Sequence, residues 1–319
     1  MSVNFYVILN EFAGGGKAKN LWPEIKTVLQ ERQVSYQVAK STYPGQATLL
    51  ARQYAKQHPD LTTATNVVLA VGGDGTLHQV LNGLASAKLT HPIPVAYLPV
   101  GNGNDFAKGI KMATRWRSAL DQILGCNSAS RLNVGTYRDA EKNTTGVFTN
   151  TVGIGFDAAV VNDANGKSPK RLTKRLHLGW LSRLSSLISV VYNELPFPLT
   201  VHVGQHRDIY AHAYLVTVSN HPYLGGGINI APTAEVTDPN LDLIVIEKPH
   251  LPKLLFIALM LRLGRHMHLK SVHHYHEPKL HLIVPSIEYG QEDGEEMGGR
   301  YWDTYFEIAQ YPFWIDTTI

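Results

Sequence analysis

The first half of the chain alternates short apolar runs of strand length with longer segments in which apolar residues recur at helical spacing. This alternation predicts strands at residues 4–9, 35–39, 66–71 and 95–98, and helices at residues 21–29, 47–55 and 77–85. A βαβ order of this kind is typical of a parallel sheet covered by helices. We therefore expect an N-terminal Rossmann-like parallel α/β domain.

Beyond residue 130 the pattern changes to strand-like stretches broken by turn residues, at residues 131–137, 146–152, 199–203, 210–218, 241–247, 280–284 and 301–309. Helical spacing recurs near residues 171–192 and 252–264, and the apolar run at 254–261 is interpreted as a buried helix. The spacing predicts a larger, mostly antiparallel, β-rich second domain. We assign residues 1–129, with a returning segment at 302–319, to the first domain and residues 130–301 to the second.

The composition is that of a globular protein of about two domains. The 319 residues are 44% apolar and 17% charged. A single cysteine, Cys126, excludes an intramolecular disulfide framework and favours a reducing compartment, so a cytoplasmic location is expected. The net charge of +3 does not indicate nucleic acid as a partner. The run at 254–261 is far shorter than the roughly 20 residues of a membrane span, and residues 1–10 lack a signal-peptide pattern.

The most informative segment is a glycine-rich loop, Gly72-Gly73-Asp74-Gly75-Thr76, between an apolar strand and a helix. Glycines let the backbone approach a ligand closely, and a helix N-terminus points N–H groups at the loop, so phosphate is the expected ligand. Asp74 is unusual beside an anion. It fits if Mg²⁺ lies between the two, or if its carboxylate orders the loop by accepting backbone N–H bonds. A tight turn rich in glycine is the alternative interpretation.

Two further loops, at residues 10–17 and 99–105, follow predicted strands of the same sheet. Ligands of open α/β sheets bind outside the carboxyl ends of the strands, so the three loops are expected to converge on one crevice. Lys17 follows three glycines and is placed to reach phosphate oxygens, while Asn102 and Asn104 offer polar groups to a nucleotide. The alternatives are a solvated lysine after a flexible turn and an Asn/Gly turn that caps the next helix.

Two familiar nucleotide-binding motifs are absent from these loops. A P-loop needs glycine where the chain has Glu11, and Ser or Thr where it has Ala18. A dinucleotide fingerprint needs glycine at Lys19 or at Phe106. The loops therefore predict phosphate binding without either motif.

Six sequence blocks, in order along the chain, carry a resemblance to a known family. They are Asn10…Gly14…Lys17, Gly72–Thr76 with Asn82-Gly83, Gly101–Ala107, Asn150…Gly153–Asp157, Asn220…Gly225–Gly227…Ala231-Pro232, and Asp293-Gly294-Glu295. With these blocks the chain resembles, over nearly its whole length, the diacylglycerol kinase catalytic-domain family. The resemblance is to its soluble bacterial lipid kinases, which are related to sphingosine kinases and more distantly to NAD kinases.

This resemblance implies an ATP- and Mg²⁺-dependent lipid kinase that transfers the γ-phosphate to a hydroxyl of diacylglycerol or a related lipid. It also implies a C-terminal β-sandwich, a nucleotide between the two domains, a lipid partner at a membrane surface and a homodimer. Asp293 or Glu295 would accept the proton of the acceptor hydroxyl. The implied nucleotide-binding residues are Asn10, Gly14, Lys17, Thr42, Gly72, Gly73, Asp74, Gly75, Thr76, Asn102, Asn104 and Asp105. The implied metal-binding residues are Asp74, Asp105 and Asp293 around a catalytic ion, and Asp238 with the carbonyls of Glu235 and Asn240 around a structural Mg²⁺.

The chain departs from the family pattern at four positions. Glu11 and Ala13 stand where the family usually has Pro and Ser. Asn102 occupies a position that is usually Thr, and Pro239 one that is usually Gly. These departures keep a non-catalytic nucleotide-binding regulator as one alternative. A kinase of a water-soluble acceptor such as NAD is another, although the blocks at 101–107 and 153–157 count against it.

A basic cluster precedes an apolar helical pattern at residues 167–192. The cations are Lys167, Lys170, Arg171, Lys174 and Arg175. They would be attracted to anionic headgroups at about 1 kcal/mol each, and the apolar face would enter the interface. Peripheral membrane contact is therefore expected, with a helix packed on its own domain as the alternative.

Histidines are frequent near the C-terminal end, at His266, His268, His273, His274, His276 and His281. Alternation places His274 and His276 on one strand face. Because no Cys or carboxylate recurs at ligand spacing, we interpret them as part of a half-exposed sheet face and not as a metal site.

Overall fold

The computed structural model describes residues 3–59, 65–155 and 195–316. The helices are α1 (Lys17–Glu31), α2 (Gln46–Gln57), α3 (Asp74–Ala85), α4 (Asp105–Gly109), α5 (Trp116–Gly125) and α6 (Leu251–Arg262), with a 3-10 turn at His266–His268. The strands are β1 (Val3–Asn10), β2 (Ser35–Ser41), β3 (Thr65–Gly72), β4 (Val95–Pro99), β5 (Ser130–Asp139), β6 (Thr144–Phe148), β7 (Thr151–Gly155), β8 (Phe197–Val203), β9 (His206–Ser219), β10 (Tyr223–Leu224), β11 (Ile228–Asn229), β12 (Leu241–Glu247), β13 (Val272–Glu277), β14 (Lys279–Glu292) and β15 (Glu295–Phe313).

The N-terminal half contains a parallel sheet in the order β2-β1-β3-β4. Residues 67–71 of β3 are fully buried, as expected for a parallel strand covered on both faces. Helices α2 and α3 pack closely because Gly83 has no side chain: a Cβ there would lie 2.4 Å from the carbonyl oxygen of Thr48. The predicted parallel α/β half is confirmed. Its loops after β1, β3 and β4 all open at one edge of the sheet.

The C-terminal half is antiparallel, as the spacing predicts, and its main path runs β13-β12-β9-β7-β14-β15. The single strand predicted at 146–152 is wrong, because the chain forms β6 and β7 there with a turn at Thr149 and Asn150. The reason is local hydrogen bonding. Both turn residues donate their backbone N–H groups to the Asp293 carboxylate instead of to a neighbouring strand.

Strands β7 and β8 occupy one position in the sheet, end to end between β9 and β14. Gly155 at the end of β7 pairs with Leu215 of β9, and Phe197 at the start of β8 pairs with Ala213. The strand position that β7 occupies up to Gly155 is therefore occupied by β8 from Phe197 onward. The basic segment at 167–192, for which membrane contact is expected, lies outside the described residues.

Strand β15 connects the two halves into one sheet. It pairs along its length with β14 and β5, and its last residue, Phe313, pairs in parallel with Val95 of β4. Trp314 follows with a backbone N–H bond of 2.8 Å to the Val95 carbonyl, and its indole N–H donates to Ile123 in α5. The end of the described chain thus packs into the N-terminal core.

Helix α6 does not have the buried environment expected of the apolar run at 254–261. Within α6, Ile257 is its buried residue. Leucines recurring every four residues form an exposed row, and a phenylalanine lies beside it: Leu251, Leu255, Leu259, Leu263 and Phe256, 40–58% exposed. Apolar composition alone does not distinguish a core helix from one whose apolar side faces outward. No helix in the described ranges has the length and hydropathy needed to cross a membrane.

Candidate active site

Four glycine-rich loops meet beyond the carboxyl ends of the parallel strands. A Cβ on Gly14 would lie 2.7 Å from a carbonyl oxygen of the loop after β4, and one on Gly101 would lie 2.4 Å from the Cα of Gly73. Gly103 in turn faces Gly226, whose Cα would be 3.6 Å from its Cβ. Glycine at these positions is therefore what lets the loops pack against one another, and glycine is also the residue that lets a backbone approach a phosphate closely. The predicted convergence includes a fourth loop, at residues 225–227.

Several predicted nucleotide-binding residues hold these loops together. Asn10 donates its side-chain amide to the Thr76 hydroxyl at 3.0 Å, which fixes the first loop to the start of α3. Thr76 is buried, and its hydroxyl lies 2.2 Å from where a Cβ of Gly72 would be. Gly72 is therefore required by packing. Asn10 and Thr76 therefore position the loop.

Asp74 orders the loop that follows β4. This is the second of the two roles that the sequence suggests for its carboxylate. Its two carboxylate oxygens accept the backbone N–H groups of Asp105 and Phe106, both at 3.0 Å. Burial, assisted by the nearby charges of Asp105 and Asp293, raises the pKa of Asp74 to about 6, although the two N–H bonds oppose the shift. A cation that enters the cleft would therefore lower the pKa of Asp74.

Asp105 is buried and connects the third loop with the fourth. One oxygen pairs with the Lys108 ammonium at 2.9 Å, and the other accepts the backbone N–H of Gly226 at 2.6 Å. Gly226 has φ +92°, a conformation that favours glycine. The fourth loop thus depends on both a glycine and an acidic partner from the N-terminal half.

The remaining predicted nucleotide residues differ in exposure. Asn104 is buried with φ +53°, and its amide bonds the Tyr97 hydroxyl and the Gly101 carbonyl, so it shapes the loop. Asn102 and Lys17 are exposed at the crevice loops. Thr42 is exposed, and its hydroxyl donates to Gln46 at 2.9 Å at the start of α2.

Asp293 lies at the centre of a dense hydrogen-bond network. Its carboxylate accepts the backbone N–H groups of Thr149, Asn150 and Thr151 at 2.7–3.0 Å. It also accepts the Thr149 hydroxyl and His78 Nδ1, both at 3.1 Å. The side chain has no exposed surface. Burial would raise the pKa of Asp293, but the bonds to His78 and to the backbone lower it below its ordinary value. In this conformation Asp293 holds the turn before β7.

Beside Asp293 lie a buried base, His78, and a second buried acid, Glu292. Burial lowers the pKa of His78, but the charges of Glu292 and Asp293 and the bond to Asp293 outweigh it, and the pKa is raised to about 9. Burial raises the pKa of Glu292 to about 7, opposed by His78 and by the hydroxyl of Tyr137, which donates at 2.9 Å. Among the described residues, the other Glu292 oxygen has no hydrogen-bond partner. The positive charge of protonated His78 therefore offsets the negative charges of Glu292 and Asp293.

Glu295 is the exposed carboxylate of the Asp293-Gly294-Glu295 block. Its Oε1 lies 2.5 Å from where a Cβ of Gly75 would stand, in the first turn of α3. Gly75 therefore makes room for this carboxylate. Asp293 and Glu295, which the sequence left as alternative proton acceptors, differ sharply in access: one is enclosed and the other faces the glycine loops.

A third buried network supports the fourth loop. Tyr223 donates its backbone N–H to Nδ1 of His221, so Nε2 carries the proton and donates to the Asn150 side chain at 2.6 Å. Burial lowers the pKa of His221 to about 4, which keeps the ring neutral. Asn220 donates to the carbonyls of Thr149 and Asn133. These contacts explain the two asparagines of the sequence blocks as connectors of loops.

The carboxylates fit a Mg²⁺ that is held partly through water. All six oxygens of Asp74, Asp105 and Asp293 already accept hydrogen bonds from the protein. They do not form a group of ligand atoms within 4.8 Å of one another. Mg²⁺ commonly keeps several waters and takes the rest of its ligands from substrate phosphates. These side chains can therefore orient a hydrated ion but do not form a complete cage.

The residues expected around a structural Mg²⁺ share one turn. Asp238 donates its backbone N–H to the Glu235 carbonyl, and its Oδ1 accepts the backbone N–H of Asn240, both at 2.9 Å. The other Asp238 oxygen lies 3.3 Å from Nε2 of His276. The structural Mg²⁺ at this turn stays a prediction. His276, which is not among the residues expected to bind that ion, is adjacent to the turn.

Sequence reasoning missed His78, Glu292 and His221. A usable signal existed for the first two, because His78 lies one helical turn after Asp74 and Glu292 adjoins Asp293. His221 had no comparable signal. Its partner Asn150 is 71 residues away in sequence, and only the fold brings them together.

Two family models match most of the chain. Residues 4–136 match the diacylglycerol kinase catalytic domain, and residues 150–302 match the YegS C-terminal NAD kinase beta sandwich-like domain. The first range contains the α/β half with its converging glycine loops, and the second contains most of the antiparallel half that brings acidic groups to them. The chain belongs to the diacylglycerol kinase family of lipid kinases.

Known relatives agree with the two models. The chain is 27% identical over 316 residues, 97% of each chain, to YtlR of Bacillus subtilis (strain 168), provisionally named a lipid kinase. It is 26% identical over 223 residues, 70% of this chain and 68% of the other, to the diacylglycerol kinase of Mycobacterium tuberculosis (strain H37Rv). The crystal structure of a diacylglycerol kinase from Bacillus anthracis str. Sterne superimposes with a TM-score of 0.69 at 21% identity, covering 99% of this chain and 97% of that one. This last likeness establishes the fold.

Proposed function

We propose that this protein transfers the γ-phosphate of ATP to a hydroxyl of diacylglycerol or a closely related lipid. The observation that carries the proposal is the meeting of four glycine-rich loops at the edge where β1, β3 and β4 end, with carboxylates from the second half of the chain beside them. Phosphoryl transfer requires mainly positioning and charge neutralisation, which backbone N–H groups and a hydrated Mg²⁺ supply. Asp74 and Asp105 would orient that ion.

The accessible Glu295 is the better candidate for the group that takes the hydroxyl proton. A proton acceptor must come within hydrogen-bond distance of the substrate, about 2.6–3.2 Å. Glu295 is exposed beside Gly75, whereas the Asp293 oxygens are enclosed by five donors. Asp293 then acts as a positioning residue that fixes His78 and the turn before β7.

The exposed side of α6 supports a lipid as acceptor. Helix α6 packs against β11, which begins directly after the fourth glycine loop. In the same loop, Gly226 donates its backbone N–H to the Asp105 carboxylate of the nucleotide side. An apolar row bordered by Lys253 and Arg265 is suited to lie in the headgroup region of an anionic bilayer. That placement would bring the membrane surface close to the cleft.

One labelling experiment separates the proposal from its alternatives. The protein receives γ-labelled ATP, Mg²⁺, NAD, and vesicles of phosphatidylglycerol that contain diacylglycerol. We expect label in the organic phase. Label in a water-soluble product would support the kinase of a soluble acceptor, and no transfer at all would support the non-catalytic regulator.

A matched pair of glycine variants ties the activity to the loops. Gly101→Ala places a Cβ 2.4 Å from the backbone of Gly73, whereas Gly125→Ala in α5 meets nothing within 4 Å. Since a misplacement of about 1 Å can reduce turnover about 100-fold, the first variant should lose most activity and the second should keep it. Equal activity of the two would contradict the loop site.

A further inference from the structure

A cluster of histidine and carboxylate side chains lies at the outer edge of the sheet, among residues that the kinase site does not use. Among the strands of the described residues, β13 is the last on this side, and it pairs antiparallel with β12. Asp242 of β12 lies directly opposite His276 and diagonally across from His274. Side chains on one face of such a pair are in contact distance. The carboxylate that does not recur at ligand spacing in the sequence is therefore supplied by the neighbouring strand.

The three side chains converge at the distances of metal ligands. Oδ1 of Asp242 lies 2.5 Å from Nε2 of His274 and 3.4 Å from Nδ1 of His276. In the described part of the chain, these three are the one group of His, Cys, Asp and Glu residues whose ligand atoms all lie within 4.8 Å of one another. Bonds of 2.0–2.1 Å in a tetrahedral site put neighbouring ligand atoms about 3.3 Å apart. His276 meets this spacing, and a small rotation of the exposed His274 ring would also meet it.

The carboxylate of Asp242 is buried and incompletely satisfied. Its side chain is 1% exposed, and Oδ1 additionally accepts the Thr233 hydroxyl at 3.1 Å. Oδ2 is buried and has no hydrogen-bond partner among the described residues. A buried carboxylate oxygen without a donor is costly unless a cation or a donor reaches it. This oxygen is an independent indication that something positive binds here.

The far nitrogen of the His276 ring has the partner that metal-bound imidazoles usually have. Nε2 of His276 lies 3.3 Å from Oδ2 of Asp238 and 3.2 Å from the Asn240 side-chain amide nitrogen. A histidine that binds a metal through one nitrogen commonly donates the other N–H to a carboxylate, which fixes the ring and its tautomer. Asp238 is positioned to accept this N–H from His276.

We propose that Asp242, His274 and His276 form a binding site for a divalent transition-metal ion of the Zn²⁺ class, with Asp238 as its outer carboxylate. Two imidazoles and a carboxylate are typical of Zn²⁺ and its first-row neighbours, whereas Mg²⁺ takes oxygen ligands. The open face of the site admits water as a fourth ligand. The bound ion joins edge strand β13 to β12 and to the turn at residues 235–240, so its effect is structural.

The proposal is tested on the full chain with Co²⁺ and Zn²⁺ as probes. Purified, metal-free protein is titrated with Co²⁺, and the visible d–d absorption is recorded. We expect one equivalent of Co²⁺ to give the intense bands of a four-coordinate site, and one equivalent of Zn²⁺ to abolish them and raise the melting temperature. Absence of the bands, or their persistence under Zn²⁺, would overturn the proposal.

Variants assign the signal to these side chains. The double variant His274→Gln/His276→Gln alters exposed side chains and should fold, and we expect its affinity for Co²⁺ to fall about 100-fold or more. His273→Gln is the matched control, because His273 is on the same strand but pairs with Glu247 on the other face. Equal Co²⁺ affinity of wild type and double variant would exclude the site.

Asp238→Asn distinguishes this site from the Mg²⁺ expected at the same turn. As an outer carboxylate, Asp238 should change Co²⁺ affinity by about 10- to 100-fold and leave binding measurable. The opposite result would be complete loss of binding in Asp238→Asn with no loss in the histidine variant, and that would show an oxygen-ligand site. Displacement of Co²⁺ by equimolar Mg²⁺ would do the same.

Discussion

The substitution Asp293→Asn tests whether this residue holds the fold of the site or performs the chemistry. An asparagine keeps the shape but has one acceptor oxygen. The least damaging orientation keeps the oxygen toward the N–H groups of Asn150 and Thr151 and turns the amide toward His78 and Thr149. The Thr149 hydroxyl can then accept, but its backbone N–H loses its acceptor, and protonated His78 loses a charged partner.

The expected loss is worked from these contacts. An unsatisfied buried N–H costs about 1–3 kcal/mol, and a hydrogen bond to a charged group is worth about 1.5–3 kcal/mol. Asp293→Asn should therefore lower the free energy of unfolding by about 3–5 kcal/mol. Glu295→Gln, at an exposed position, should change it by less than about 0.5 kcal/mol.

The assay combines urea unfolding with turnover of labelled ATP in the presence of lipid. If Glu295 is the proton acceptor, Glu295→Gln should fold normally and lose about 100- to 10,000-fold in turnover. Asp293→Asn should lose stability together with activity. An Asp293→Asn protein of unchanged stability and no activity, beside an active Glu295→Gln protein, would refute the assignment and make Asp293 the base.

Three further outcomes are expected. The pKa of His78 is raised in the folded protein to about 9, so its stabilising contribution is complete below pH 6.5 and disappears as the pH rises through 9. The unfolding free energy of wild type should exceed that of His78→Gln by on the order of 3 kcal/mol at pH 6 and by little at pH 9.5; a constant difference would contradict this. Asn10→Ala removes the bond to Thr76 and should lower stability by about 1 kcal/mol and weaken ATP binding, as measured by calorimetry. Replacing the exposed Phe256 and Leu259 by serine should weaken sedimentation with phosphatidylglycerol vesicles without lowering the melting temperature, and unchanged sedimentation would exclude α6 as the contact.

The environment of helix α6 was not predictable from its composition. Its apolar run at 254–261 has the length and hydropathy of a core helix, and that interpretation failed because three large side chains of the run, Leu255, Phe256 and Leu259, face outward. Periodicity reports which residues share a face of an element. Whether another element covers that face depends on contacts between segments distant in sequence.

The sequence by itself determined the alternation of elements, the class of fold and the positions of the glycine loops. Local backbone geometry accounts for this, because strand and helix periods and the need for glycine in close-packed loops are expressed within a few residues. Only the tertiary structure decided that Asp293 is enclosed while Glu295 is exposed, and that Asp242 meets His274 and His276. Hydrogen bonding, burial and charge act through space, and partners 32 to 215 residues apart in the chain are brought together only by the pairing of strands and the packing of loops.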